Sequence, residues 1–197
     1  VIVHNNSAYN QALIGPNGTG GGWGGGIFMD ISSPYIENSV ISYNKATYEG
    51  GGVFTYNGNP IFENVQIIYN ETGYINYNTN GAYGYGGGIS FGTRNFTGNS
   101  YSGGIAYINN SIISYNSSVG GGGGIDAGWY GGNQNGSHPP IEVVIKNSVL
   151  SHNEAPWGSI YNGVFLDMEN VEIFNNMSTS WPFDRKALVQ TVIYNPL

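Results

Sequence analysis

Carboxylates are the first residues to weigh. Asp30, Asp126 and Asp167 each follow a glycine-rich element at similar distances, and one shared face would bring them together. Two or three carboxylates converging on a groove, one of them held protonated, is what polysaccharide hydrolysis requires. A lyase would also need Lys or Arg beside the acids to stabilise an enolate-like state. The cations are only Lys45, Arg94, Lys146, Arg185 and Lys186, spread along the chain. The plainer reading, that these aspartates cap turns or stand in solvent, is preferred.

Metal and phosphate chemistry fare no better. His4 and His152 stand where Tyr43, Tyr69, Tyr115 and Tyr194 stand in other copies of a repeated motif, so a shared stacking position accounts for both. His138 lies in a loop beside Pro139 and Pro140. No two histidines have ligand spacing, so neither a metal nor another cofactor is expected. The run Gly120–Gly124 lacks the Lys-Ser/Thr and the helix start of a phosphate loop.

Asn-X-Ser/Thr acceptor sequences are more informative. They occur at Asn5, Asn17, Asn70, Asn95, Asn109, Asn116, Asn135 and Asn176. That is about twice what 27 Asn and 27 Ser/Thr in 197 residues would produce by chance. Asn17, Asn95 and Asn135 lie in Gly-rich loops and are the favoured carriers. Asn5, Asn70, Asn116 and Asn176 also belong to the repeat, so composition and motif explain part of the excess. Trp23, Tyr83, Tyr85, Trp129, Tyr130 and Trp157 stand in loops, where aromatic rings either stack on sugars or pack onto the scaffold. Trp23, Tyr83, Trp129 and Tyr130 are the candidate glycan contacts.

The elements that must position these residues follow from composition and periodicity. Only 9% of the residues are charged, against about 25% in an ordinary globular protein. Gly (33 residues), Asn and Tyr (16) combine turn formers with β formers. The profile predicts one all-β domain over residues 1–197. A net charge of −7 with no basic stripe argues against nucleic acid. No apolar run reaches the ~18 residues of a membrane span. There is no cysteine, and Val1 rather than Met stands first, so a processed chain or a piece of a longer repeat protein is expected.

The chain repeats itself. Asn pairs six residues apart recur at Asn38/Asn44, Asn64/Asn70, Asn110/Asn116, Asn147/Asn153 and Asn170/Asn176. Each has an aliphatic residue three before its second Asn: Ile41, Ile67, Ile113, Leu150 and Ile173. Partial copies stand at Ile2–Asn5 and Val192–Asn195. Glycine elements precede most copies, at Gly24–Ile27, Gly50–Val53, Gly86–Ile89, Gly120–Ile125 and Gly158–Ile160. Successive first Asn residues are 26, 46, 37 and 23 apart, which suits one turn of a solenoid with loops inserted. Alternation puts Val65, Ile67 and Tyr69 on one face, as it does Ser111, Ile113 and Tyr115, with the Ile/Leu column inside. The motif Asn residues are expected to stack at turn corners in left-handed backbone. Val40, Ile68, Ile112, Val149 and Phe174 are expected to face outward, as an apolar stripe if nothing covers them.

These elements resemble the repeats of chlamydial polymorphic outer-membrane proteins, which pair a GGA[IV]-like element with FxxN. Here the pairs read GGGI with ISYN, GGGV with IIYN, GGGGGI with LSHN and GSI with IFNN, over nearly the whole chain. They depart at the Phe, which is aliphatic here, and at the third small residue, which is Gly. The resemblance implies a right-handed parallel β-helix, a surface location and adhesion.

The sequence thus predicts a right-handed parallel β-helix of about six to seven irregular coils. Its preferred function is that of a non-catalytic extracellular subunit of a surface fibre or coat, glycosylated and self-associating head to tail through its coil ends. A glycan-binding adhesin segment is the alternative, and a polysaccharide lyase or hydrolase the less favoured one.

Overall fold

The computed structural model describes residues 1–8, 22–56, 58–76, 81–92, 104–127, 142–162, 166–179, 186–189 and 192–194. Every element among them is a β-strand, most of them paired in parallel. The chain visits three sheets in fixed rotation, with a separate antiparallel pair, Tyr74–Asn76 and Gly81–Tyr83, inserted between two visits. A broad sheet holds Ile2–His4, Tyr35–Ser42, Ile61–Ile68 and the later strands that align with them. A narrow sheet is made mostly of two-residue strands such as Lys45–Ala46 and Glu71–Thr72, and ends in the four-residue Asn176–Thr179 and Lys186–Val189. A third sheet follows the glycine elements, with Ile27–Asp30, Val53–Tyr56, Ile89–Gly92, Ile125–Ala127 and Ile160–Asn162 in that order.

The repeat is the unit of this stacking. Ile41 pairs with Ile67, Ile67 with Ile113, Ile113 with Leu150 and Leu150 with Ile173, so the aliphatic positions form one column. Ile41, Ile67, Ile113 and Leu150 are fully buried. Phe62, Ile108 and Ile145 form a second column on the broad sheet, and Val53, Ile89 and Ile125 face them from the third. Each such side chain contributes roughly 1.5–3 kcal/mol on burial, so a single pass, with one layer of them, gains little by itself. Insertions leave the register intact: Ile112 pairs with Gln66 across 46 residues just as Gln66 pairs with Val40 across 26.

Left-handed corners bend each pass, two of them at the repeat's Gly and Asn residues and a third at the aromatic position described below. Glycine makes one: Gly50 has φ +65°, and a Cβ there would lie 2.2 Å from the Val53 carbonyl oxygen. The first Asn of each pair makes another, with φ between 47° and 54° at Asn38, Asn64, Asn110, Asn147 and Asn170. The expectation of left-handed Asn corners therefore applies to the first Asn only.

The two ends differ from the repeat pattern. Ile2, Val3 and His4 pair with Val40, Ile41 and Ser42. His4 is thus one residue out of the Tyr43 position, and Asn5 takes the left-handed place instead, at φ 58°. Val192–Tyr194 is not a further parallel copy. It pairs antiparallel with Val171–Ile173, and Lys186–Val189 pairs antiparallel with Asn176–Thr179. The phase of a motif does not encode strand direction, and here the chain reverses.

Candidate functional site: an exposed aromatic row over a buried amide ladder

Simple alternation would bury Tyr69 with Val65 and Ile67, yet Tyr69 is 42% exposed. The reason is its backbone. Tyr43, Tyr69, Tyr115 and His152 have φ between 55° and 58°, and one left-handed residue turns the aromatic ring outward and the following Asn inward. The rings then stack along the axis, with centroids 5.0 Å apart for Tyr43–Tyr69, 4.9 Å for Tyr69–Tyr115 and 4.6 Å for Tyr115–His152. That spacing is the distance between neighbouring strands. His152 ends the parallel stack, with Phe174 edge-on at 5.7 Å and Asn175 Nδ2 3.2 Å from its Nε2.

Directly inside this row runs a ladder of amides. Asn70 donates from its backbone N to Asn116 Oδ1 at 2.9 Å, and from Nδ2 to the same oxygen at 3.0 Å and to the Ile41 carbonyl at 2.9 Å. Asn44, Asn116 and Asn153 repeat these three bonds, each onto the next Asn and onto Val3, Ile67 and Ile113 carbonyls respectively. Asn6 starts the ladder by donating twice to Asn44 Oδ1, and Asn176 receives its last bonds. From Asn44 onward the members are no more than 1% exposed. Buried amides are costly unless bonded, and here every bond runs from one pass to the next. Asn6 carries the amide signal without matching the six-residue pairing, so sequence reasoning missed it.

The residues singled out for chemistry are not brought together. Asp30 and Asp126 share the outward side of the third sheet, but two strands lie between them, about 14 Å at the usual strand spacing. Asp167 is on the broad sheet, paired with Val144. Asp126 is fully buried and accepts a bond from Ser90 Oγ at 3.3 Å, whereas Asp30 and Asp167 are exposed. The intervening strands separate Asp30 from Asp126, and the change of sheet separates Asp167 from both. Among the described residues no cluster of His, Cys, Asp or Glu could hold a metal, and no helix is long and apolar enough to cross a membrane.

Two cations are spent in exposed ion pairs, Lys45 with Glu71 at 2.7 Å and Lys146 with Glu169 at 2.6 Å. The first pair lines a shallow groove with Ser7 and Thr47, where no further acid accompanies Glu71. The hydrogen bond and charge of Glu169 raise the Lys146 pKa above its usual value.

The acceptor sequences divide by side. Asn70, Asn116 and Asn176 are ladder members and no more than 1% exposed. Asn5 is exposed and Asn109 half-buried on the broad sheet. Asn17, Asn95 and Asn135 lie outside the described residues, as do Trp129 and Tyr130 and the side chain of Tyr83. Trp23 packs onto the scaffold, stacked on Phe54 with centroids 6.0 Å apart and edge-on to Tyr56. The outward apolar residues form no continuous stripe, because Gln66 stands between Val40 and Ile112 in the column and Ile68 belongs to another.

No family model, curated protein or solved structure matches the chain. The likeness to the chlamydial repeats rests on the two sequence elements alone.

Proposed function

We propose that the chain is a right-handed parallel β-helix of about six to seven coils that serves as a non-catalytic structural element of an extracellular surface fibre or coat. The observation that carries this is the amide ladder, continuous from Asn6 to Asn176. It commits the interior to axial cohesion, while acids and cations are dispersed or paired. The hand follows from the strong preference of parallel crossover connections for right-handed turns. Low charge, an acidic balance and outward acceptor sequences support a surface location. In-register head-to-tail growth would need the antiparallel strands Lys186–Val189 and Val192–Tyr194 to leave the edges they occupy.

Electron microscopy of material from the native source tests it. Filaments with a regular axial repeat support the reading, and discrete particles at all dilutions remove the fibre. A glycan-binding role is the second reading, favoured by Trp157, 53% exposed and 5.9 Å from the ring of Tyr85. Loss of polysaccharide binding on Trp157→Ala would promote it.

A further inference from the structure

We infer that folding and N-glycosylation exclude one another at Asn70, Asn116 and Asn176, so that the folded protein carries N-linked sugar only at outward acceptor sites such as Asn5 and Asn109. The inference rests on the ladder and does not depend on the functional reading above.

An acceptor sequence places its Asn and its hydroxyl residue two apart, and on a strand residues two apart share a face. A ladder Asn therefore carries its partner hydroxyl inward with it. The inward column two residues after the ladder is Ala8, Ala46, Thr72, Ser118, Ala155 and Ser178. Its four innermost members, Ala46, Thr72, Ser118 and Ala155, are at most 7% exposed. What this column requires is a small side chain. Where that residue is Ala, at Asn6, Asn44 and Asn153, no acceptor sequence arises. Where it is Ser or Thr, one arises at a position set by the inward column, with Ser118 Oγ accepting from Gly120 N at 3.1 Å and lying 2.9 Å from the Gly121 carbonyl, and Ser178 Oγ donating to the Pro156 carbonyl at 2.9 Å. The outward residues between, Glu71, Ser117 and Met177, face the other way.

Modification joins Nδ2 to the anomeric carbon of a polyprenyl-diphosphate-linked oligosaccharide. The bond from that carbon to the diphosphate oxygen breaks, polyprenyl diphosphate leaves, and Nδ2 gives up one proton. At Asn116 both Nδ2 hydrogens are already used, toward the Ile67 carbonyl at 2.8 Å and Asn153 Oδ1 at 3.0 Å. A sugar there removes one bond and must also occupy packed space beside Gly88, whose built Cβ would lie 3.0 Å from Asn116 Nδ2. Asn5 and its partner hydroxyl Ser7 are both exposed; Asn109 stands in the outward column between Glu63 and Lys146, half-buried, although its partner hydroxyl Ser111 is buried and donates to the Asn109 carbonyl.

The test is to give the chain a secretion leader in a glycosylating eukaryotic cell, beside the variant Thr72→Ala/Ser118→Ala/Ser178→Ala. That variant restores the residue found at Ala46 and Ala155 and keeps every ladder Asn. Site occupancy is read by mass spectrometry on the secreted, protease-resistant fraction. Retained material is trimmed to one sugar per site, refolded from denaturant and read the same way. Sugar absent from Asn70, Asn116 and Asn176 in every protease-resistant fraction, or a resistant fraction obtained only from the variant, is the expected result. Sugar on any of the three in resistant material overturns the inference.

Discussion

Gly52 lies against the side-chain amide of Asn70, so that a Cβ added to the glycine would stand 3.0 Å from the amide carbon and 3.0 Å from Nδ2. The same contact joins Gly26 to Asn44, Gly88 to Asn116 and Gly124 to Asn153. This is the physical link between the two sequence elements of the repeat. The glycine element clears the space across which the amide ladder runs, so neither is useful without the other.

Gly52→Ala is accordingly expected to cost about 1–3 kcal/mol as overpacking. Its new Cβ also falls 2.7 Å from the Gly88 carbonyl oxygen, backbone that cannot swing aside. Urea denaturation should show a lower midpoint at unchanged slope. A midpoint equal to that of the unmodified chain would mean that the glycine contact is slack.

The ladder itself is best broken at its centre. Asn116→Ala removes the acceptor of two Asn70 donors and the donor to Ile67. Each orphaned buried group costs about 1–3 kcal/mol, and a loss on the order of 3–5 kcal/mol is expected, since contributions within one network are not additive. Asn116→Asp adds a pH signature. Burial raises the carboxyl pKa above its unfolded value near 3.9. The folded chain then binds more protons, so the penalty is complete above the folded pKa and fades as pH falls toward 4. Flat stability relative to the unmodified chain between pH 4 and 8 would contradict a buried position.

How far the sequence discloses this arrangement depends on which residues are asked. The aliphatic column and the all-β, parallel character follow from spacing, because Ile41, Ile67, Ile113 and Leu150 must bury the same face. The outward turn of Tyr69 does not follow, since period-2 alternation assumes extended backbone and a single left-handed residue inverts it. Asn70 and Asn64 carry the same letter but lie on opposite sides of the fold. The direction of Val192–Tyr194 is equally hidden, because its motif is the same read in either pairing sense.

Lys146 and Glu169 predict an alkaline dependence. The raised Lys146 pKa means that the pair's contribution is fully present below the unfolded lysine value and is lost as pH rises through the folded one. Thermal melts of Lys146→Met and of the unmodified chain should differ slightly at pH 9 and low salt, and converge as pH rises through the raised pKa of the folded lysine. The difference should also shrink in 1 M salt, as exposed pairs are screened. A gap that persists at high pH would assign the effect to the lysine stem rather than to its charge.

Tyr69 separates stacking from backbone strain. It stacks on Tyr43 and Tyr115 at once, and each aromatic pair is worth about 0.5–1.5 kcal/mol. Its left-handed backbone costs a non-glycine residue roughly 1–2 kcal/mol. Tyr69→Phe keeps both rings in place and should leave stability nearly unchanged. Tyr69→Ala loses both stacks and keeps the strain, so a loss of about 1–3 kcal/mol is expected. Tyr69→Gly loses the same stacks but relieves the strain, and should be more stable than Tyr69→Ala by about 1 kcal/mol although it is the smaller residue. Denaturation midpoints in the order Phe, Gly, Ala would establish that the aromatic row offsets the strain of the corner beneath it. Ala above Gly would mean that the corner is not held left-handed in solution, and with it would go the inward placement of Asn70.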